Sequence, residues 1–319
     1  MCTAATYHST DFYFGRNLDL EYSCSETVTV TPRNFPFEFR MCNGLKSHFA
    51  MVGTAFVEED YPLYYEAVNE KGLCMAGLNF PDNAVYFPPV HGMDNVTPFE
   101  FIPWILGQCE NLEQARRLLS KINLANINFS DKLPLSPLHW IIADKSGAVT
   151  VESIADGLKI HENPVGILTN NPTFDFHIKN LSNYANLSSS EPESDTPLSF
   201  RSHGMGAIGL PGDWSSASRF VRAAFVKKNS VSGKSEGENI GHFFRILDSV
   251  EVPKGCVRFD GKLTETVYSC CCNADKGIYY YKTCGNSRIS AVDMHKENLN
   301  GDKPVSYPLI TEQDIYFNN

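Results

Sequence analysis

The 319-residue sequence has no apolar run near the roughly 20 residues that a membrane span needs, so no membrane insertion is expected. Its opening, Met1-Cys2-Thr3-Ala4-Ala5-Thr6-Tyr7, has neither a basic stretch nor an apolar one, so no secretory leader is expected. Positive charge is scarce: 27 Lys and Arg face 37 Asp and Glu, a formal net charge of -10. That argues against phosphate-backbone binding, and no nucleic-acid partner is expected. The nine histidines contain no H-E-x-x-H, and no C-x-x-C accompanies Cys270-Cys271-Cys272, so no metal is expected. Gly204-Met205-Gly206-Ala207-Ile208-Gly209 fits G-x-G-x-x-G, but Leu210-Pro211-Gly212-Asp213 breaks the helix that a dinucleotide site requires. No cofactor is expected. Together these absences describe a cytoplasmic protein whose ten cysteines are reduced.

What is present is a composition 42% hydrophobic and 12% aromatic, which suits a packed globule. The length alone would allow about two domains. With no internal repeat and no domain-sized linker, one domain over 1–319 is expected. Thr3–Tyr7 and Phe12–Asn17 read as a hairpin turning at Ser9-Thr10-Asp11, and Thr27–Thr31 as a strand ending at Pro32. Thr97-Pro98-Phe99-Glu100 reads as a capping box opening a helix at Thr97, bent at Pro103. Asn111 caps a second helix, Ser215 or Ser216 a third, and a fourth covers roughly 240–250. Strands are expected at 139–144, 148–153, 158–161, 165–169, 266–272, 277–283 and 288–294, and an exposed loop at 188–199. Neighbouring strands with short turns favour antiparallel sheets with helices packed outside, an α+β architecture.

Cys2 carries the most chemical information. If Met1 is removed, one residue holds both a thiol and a free α-amine. Their ordinary pKa values, about 8.5 and about 7.7–8.0, let the amine take the thiol proton near neutrality. A small residue after Met1 also occurs by chance. Arg16 lies on the neighbouring strand, where a guanidinium would favour thiolate. Asp19 could orient an α-ammonium. The same two residues would equally make an ordinary surface ion pair.

Met1-Cys2-Thr3-Ala4 with Tyr13-Phe14-Gly15-Arg16-Asn17-Leu18-Asp19 resembles the choloylglycine hydrolase family of N-terminal-nucleophile hydrolases, which holds bile salt hydrolases and penicillin V acylases. Blocks at 69–73, 76–80, 168–174, 209–213, 218–220, 276–281 and 294–299 extend the resemblance over essentially the whole chain. It implies a four-layer α/β/β/α sandwich of two antiparallel sheets. It implies Cys2 as nucleophile, with Arg16 and Asp19 supporting thiolate and amine. Asn79 and Asn170 are the implied oxyanion and positioning asparagines, and Arg219 a second active-site arginine. Asn170 is favoured over its neighbour Asn171 because it holds the Leu-Thr-Asn position. Asn171, Leu20, Tyr22, Tyr65, Leu133 and Leu135 are the expected substrate contacts, though each apolar one would serve equally as core. Asn79 leans towards glycine- or taurine-conjugated bile salts as substrate, and the family implies a homotetramer. The rivals are a penicillin V or N-acyl homoserine lactone acylase with the same centre, and a non-catalytic binder of bile acids or lipids.

Overall fold

In the computed structural model, which describes residues 1–192 and 203–319, the first two strands form the expected hairpin. They are β1 (Cys2–His8) and β2 (Phe12–Leu20), and β3 (Thr27–Thr31), β4 (Met51–Glu58), β5 (Tyr61–Asn69), β6 (Cys74–Asn79) and β7 (Asp94–Val96) follow. Helices α1 (Phe101–Gln108) and α2 (Leu112–Leu119) lead into β8 (Ile122–Leu124). Next come β9 (Leu138–Asp144), β10 (Gly147–Ile154), β11 (Gly157–Glu162) and β12 (Ile167–Leu168). Helices α3 (Phe174–Asn180), α4 (Ser216–Asn229) and α5 (Glu236–Asp248) precede β13 (Val257–Phe259), β14 (Lys262–Asn273), β15 (Ile278–Thr283), β16 (Asn286–Asp293) and β17 (Val305–Pro308).

One sheet runs β12-β1-β2-β14-β15-β16, with β13 paired to β14. The other runs β11-β10-β9-β6-β5-β4-β3-β17. Every pairing within the two is antiparallel. Side chains alternate along the strands and so divide the core in two. Cys74, Ala76, Leu78 and Ile141 join Ala4 and Leu18 between the sheets, in a cluster that also takes in Phe220 and Phe243 of α4 and α5. Met75, Trp140 and Ile142 face the other way, against Phe101, Ile105 and Leu119 of α1 and α2. The layers are therefore helix, sheet, sheet, helix. Each of these fully buried large apolar side chains contributes on the order of 1.5–3 kcal/mol.

Local details amend the sequence reading. Helix α1 begins at Phe101, not Thr97: residues 98–100 form a turn, and only half the capping box exists. Glu100 accepts from the Thr97 N–H at 3.3 Å, while the Thr97 hydroxyl has no partner among the described residues. Pro103 sits in the first turn of this helix, where its missing N–H is not needed. Helix α5 starts earlier than expected, at a capping box of Ser235 and Glu238. Asn111 and Ser215 cap α2 and α4 as expected. Strands β4 to β6 and helix α3 add to the sequence reading; β6 is buried almost throughout, which blurs a period of two. Of the expected 188–199 loop, 188–192 carries no helix or strand, and the remainder lies outside the described residues.

Candidate active site

The β1–β2 register sets the site. Cys2 pairs with Leu18, Thr3 with Asn17 and Ala4 with Arg16, so Cys2 and Arg16 share the face between the sheets. Gly15 lets β14 come close beside them: a Cβ there would lie 1.9 Å from the Cys270 carbonyl oxygen. Arg16 is fully buried, and its Nη2 donates to the Cys2 thiol at 2.6 Å. Nη1 donates across to the second sheet, to Gly77 O at 2.6 Å and Tyr65 O at 3.4 Å. Burial alone would lower the guanidinium pKa. Charge interactions with Cys2, Tyr268 and Glu66 outweigh it and raise the value, so Arg16 stays charged.

Thr3, Asn17 and Asp19 occupy the opposite face of the hairpin, towards the helices. Arg219 of α4 arrives there, donating from Nη1 to the Cys2 carbonyl oxygen and to Thr3 Oγ1, the latter at 2.6 Å. Its Nη2 donates to Asn170 Oδ1 at 2.7 Å. That same oxygen accepts the backbone N–H of Cys2 at 2.8 Å. The Asn170 Nδ2 donates to the backbone oxygen of Asn79 at 2.6 Å, joining the end of β12 to the end of β6. Asn170 is thus committed on both ends of its amide. The Asn79 side chain is half-buried and makes no hydrogen bond among the described residues. Asn171 turns elsewhere, donating to Pro81 O and, at 3.0 Å, to Asn83 Oδ1. Of the tandem pair, Asn170 faces Cys2.

Asp19 is buried completely. Its Oδ1 accepts from Thr266 Oγ1 at 2.6 Å, and its Oδ2 has no partner among the described residues. Burial pushes its carboxyl pKa up, opposed by Arg219 and the chain's α-amine. With Met1 in place that amine belongs to Met1 and donates to the Asp19 backbone oxygen at 2.7 Å.

A cavity of about 520 Å³ opens beside Gly77 and Tyr65, the two carbonyls that hold Arg16. Tyr22, Tyr65, Leu133 and Leu135 line it together with Phe129 and Trp140. Its size and apolar wall suit a rigid apolar ligand. Leu20 does not line it: this half-buried side chain packs into the core between the sheets. Asn171 does not line it either. A larger cavity, about 760 Å³, lies between α4 and Tyr184 and contains none of these residues.

Two groups escaped the sequence reading. Glu66 of β5 is a buried carboxylate with Oε2 3.7 Å from Arg16 Nη1. Its oxygens accept the hydroxyls of Tyr268 at 2.8 Å and Tyr279 at 2.5 Å. A single acid in an otherwise apolar strand stretch was its only signal. Beneath Asn170, His139 bridges Thr169 O at 2.9 Å and Glu152 at 3.1 Å, and His177 contacts Asn170 O at 2.9 Å. His139 is fully buried and stacks on Phe80. Cys270, Cys271 and Cys272 are buried strand residues, and burial raises their thiols.

Comparison with known proteins agrees over the whole chain. The sequence is 51% identical over 321 residues to a bile salt hydrolase/transferase of Lactiplantibacillus plantarum, covering 99% of each. It is 35% identical to a conjugated bile acid hydrolase of Lactobacillus gasseri, covering 96% of this chain and 100% of that one. A solved structure of a mutant conjugated bile acid hydrolase from Clostridium perfringens superposes with a TM-score of 0.93 at 34% identity, covering 100% of both chains. Residues 2–307 match the family described as linear amide C–N hydrolases, choloylglycine hydrolase family. The two-sheet fold, the Cys2 environment and these matches establish that the chain belongs to the choloylglycine hydrolase family.

Proposed function

We propose that the protein hydrolyses the amide bond of glycine- or taurine-conjugated bile acids, with Cys2 as nucleophile once Met1 is removed. The observation that carries this reading is the Arg16 guanidinium donating to the Cys2 thiol at 2.6 Å beside an apolar cavity. The names of the relatives support the substrate class.

In the proposed first step the thiolate attacks the amide carbon and the carbonyl oxygen gains negative charge. The Asn79 side chain, which has no hydrogen-bond partner among the described residues, is our candidate donor to that oxygen, an interaction worth about 10²–10³ in rate. Asn170 serves instead as a positioning residue, since its amide is already used by Cys2, Arg219 and Asn79. The C–N bond breaks, and the leaving glycine or taurine takes a proton from the Cys2 α-ammonium. Water then gives its proton to the α-amine and attacks the thioester, releasing the bile acid and restoring the thiol. Removal of Met1 turns the Cys2 nitrogen from a peptide N–H into that amine, beside Asn170 Oδ1. The unpartnered Asp19 Oδ2 supports a place for its added protons.

Two finer statements are checked separately: assembly as a homotetramer, which rests on the family resemblance alone, by light scattering, and the cytoplasmic location expected from the sequence by fractionation. Among the described residues no helix is long and apolar enough to cross a membrane.

The test of function is amine release from glycocholate, taurocholate and penicillin V by the parent and by Cys2→Ser. Release from the bile salts by the parent alone is expected. Release mainly from penicillin V would overturn the substrate, and equal turnover by Cys2→Ser would overturn the nucleophile.

A further inference from the structure

Arg16 contacts two acidic groups through different nitrogens, a thiol and a carboxylate. On one side is the Cys2 sulfur at 2.6 Å from Nη2, and on the other the Glu66 carboxylate at 3.7 Å from Nη1. The Glu66 distance is too long for a hydrogen bond, so the carboxylate acts on the guanidinium through charge. Glu66 is itself fixed. Tyr268, Tyr279 and the Thr54 N–H all donate to it, and it is 1% exposed. It does not line the apolar cavity. Further titratable groups around the pair are Asp19, Arg219, Tyr65, Cys270, Cys272 and the α-amine.

We propose that Glu66 is a positioning residue that acts through Arg16: its carboxylate offsets part of the guanidinium's positive charge beside Cys2, so that Glu66 sets how readily the thiol ionises. This inference rests on Cys2 being the nucleophile. Its physical content is a balance. An unopposed buried guanidinium would push the thiol towards a permanently ionised, weakly nucleophilic state, because nucleophilicity falls with thiol pKa. A carboxylate behind the guanidinium moderates that push, while the Gly77 and Tyr65 carbonyls hold the planar group in register. Burial raises the Glu66 carboxyl, while Arg16 and the two tyrosine hydroxyls oppose the rise.

The test is Glu66→Gln in the full-length processed enzyme, with two readouts. Turnover of glycocholate should fall about tenfold or more in kcat with KM within about twofold, since the residue stands behind Arg16 and away from the cavity. The pH profile of iodoacetamide labelling at Cys2, read by mass spectrometry of the N-terminal peptide, should move to lower pH by about half a unit or more. Glu66→Asp keeps the charge and should restore the parent profile while recovering only part of kcat. An unchanged midpoint in a folded Glu66→Gln protein, or one moved to higher pH, overturns the proposal: a purely structural residue leaves the midpoint in place, and a released Arg16 raises it. Should Glu66→Gln not fold, Tyr279→Phe removes one donor and no charge. Loss of that donor favours the protonated carboxyl, so a smaller shift in the same direction is required, and no shift counts against the proposal. The labelling readout needs no turnover. A parent without bile salt activity would sink the functional reading, while the midpoint still decides whether Glu66 governs the thiol.

Discussion

Arg219 Nη2 donates to Asn170 Oδ1 at 2.7 Å, so a cation from helix α4 holds the amide that in turn holds the nitrogen of Cys2. The tandem Asn170-Asn171 pair therefore offers an internal control. Asn170→Ala removes the acceptor of Arg219 and the donor to Asn79 O together. We expect kcat to drop by about 10²–10³, the range typical for loss of one preorganised polar group at such a site. Unpairing buried groups should also lower stability by about 1–3 kcal/mol. Asn171→Ala loses only its contacts to Pro81 O and Asn83, and kcat should change by less than about fivefold. Similar losses from both substitutions in steady-state kinetics would contradict the orientation of the pair.

A second prediction concerns the chain start. With Met1 present, the basic amine lies one residue away from the thiol and contacts the Asp19 backbone oxygen. The Cys2 nitrogen is then a peptide group with no basicity. Intact-mass analysis of active protein should show a chain starting at Cys2, and a preparation retaining Met1 should be inactive on glycocholate. Full activity from a Met1-retaining chain would remove the α-amine from the mechanism.

Much of this was legible in the residues, and the remainder has physical reasons. Cys2, Arg16 and Asp19 could be paired from sequence because they lie on a local hairpin whose alternation fixes their faces. Asn170 and Arg219 come from distant segments, and without the family resemblance nothing local marks them. Glu66 was invisible for a similar reason: its partners Arg16, Tyr268 and Tyr279 belong to β2, β14 and β15, and only sheet stacking brings them together. The start of α1 was misread because Pro98 and Pro103 both satisfy the rule for a helix's first turn, and tertiary contacts chose the later one. Glu100 shows the competition: one oxygen accepts the Thr97 N–H and the other the Arg40 N–H, tying the turn to another loop.

Acid stability gives a third prediction. Burial would raise the Glu152 carboxyl, but the contacts with His139 at 3.1 Å and His161 at 3.6 Å and the hydrogen bond from the Phe174 N–H hold it down at about 2. The folded value lies below the unfolded one. This group's contribution is therefore present above about pH 4.5 and is lost as pH falls towards 2, with a size of about 3 kcal/mol. Melting temperature measured from pH 6 to pH 2 should fall steeply below pH 4.5 in the parent. Glu152→Gln should start lower and fall less steeply over that window. Parallel curves for the two proteins would show that Glu152 does not carry the acid sensitivity.

The last prediction separates cavity wall from core. Leu135 is half-buried and lines the 520 Å³ cavity, whereas Leu20 packs between the sheets. If the cavity takes the steroid, Leu135→Ala removes apolar contact worth about 1.5 kcal/mol, so KM for glycocholate should rise about tenfold with little change in kcat. Leu135→Glu should raise KM further, because a carboxylate then faces an anionic substrate, and added salt should relieve part of that increase by screening. Leu20→Ala should instead lower the melting temperature, with a cost of about 2 kcal/mol or more, and shift KM less than Leu135→Ala does. A Leu135→Ala enzyme with unaltered KM would mean that the acyl group lies elsewhere. The thiol would then be reached by another route, and the Tyr65 and Gly77 carbonyls would serve only to seat Arg16.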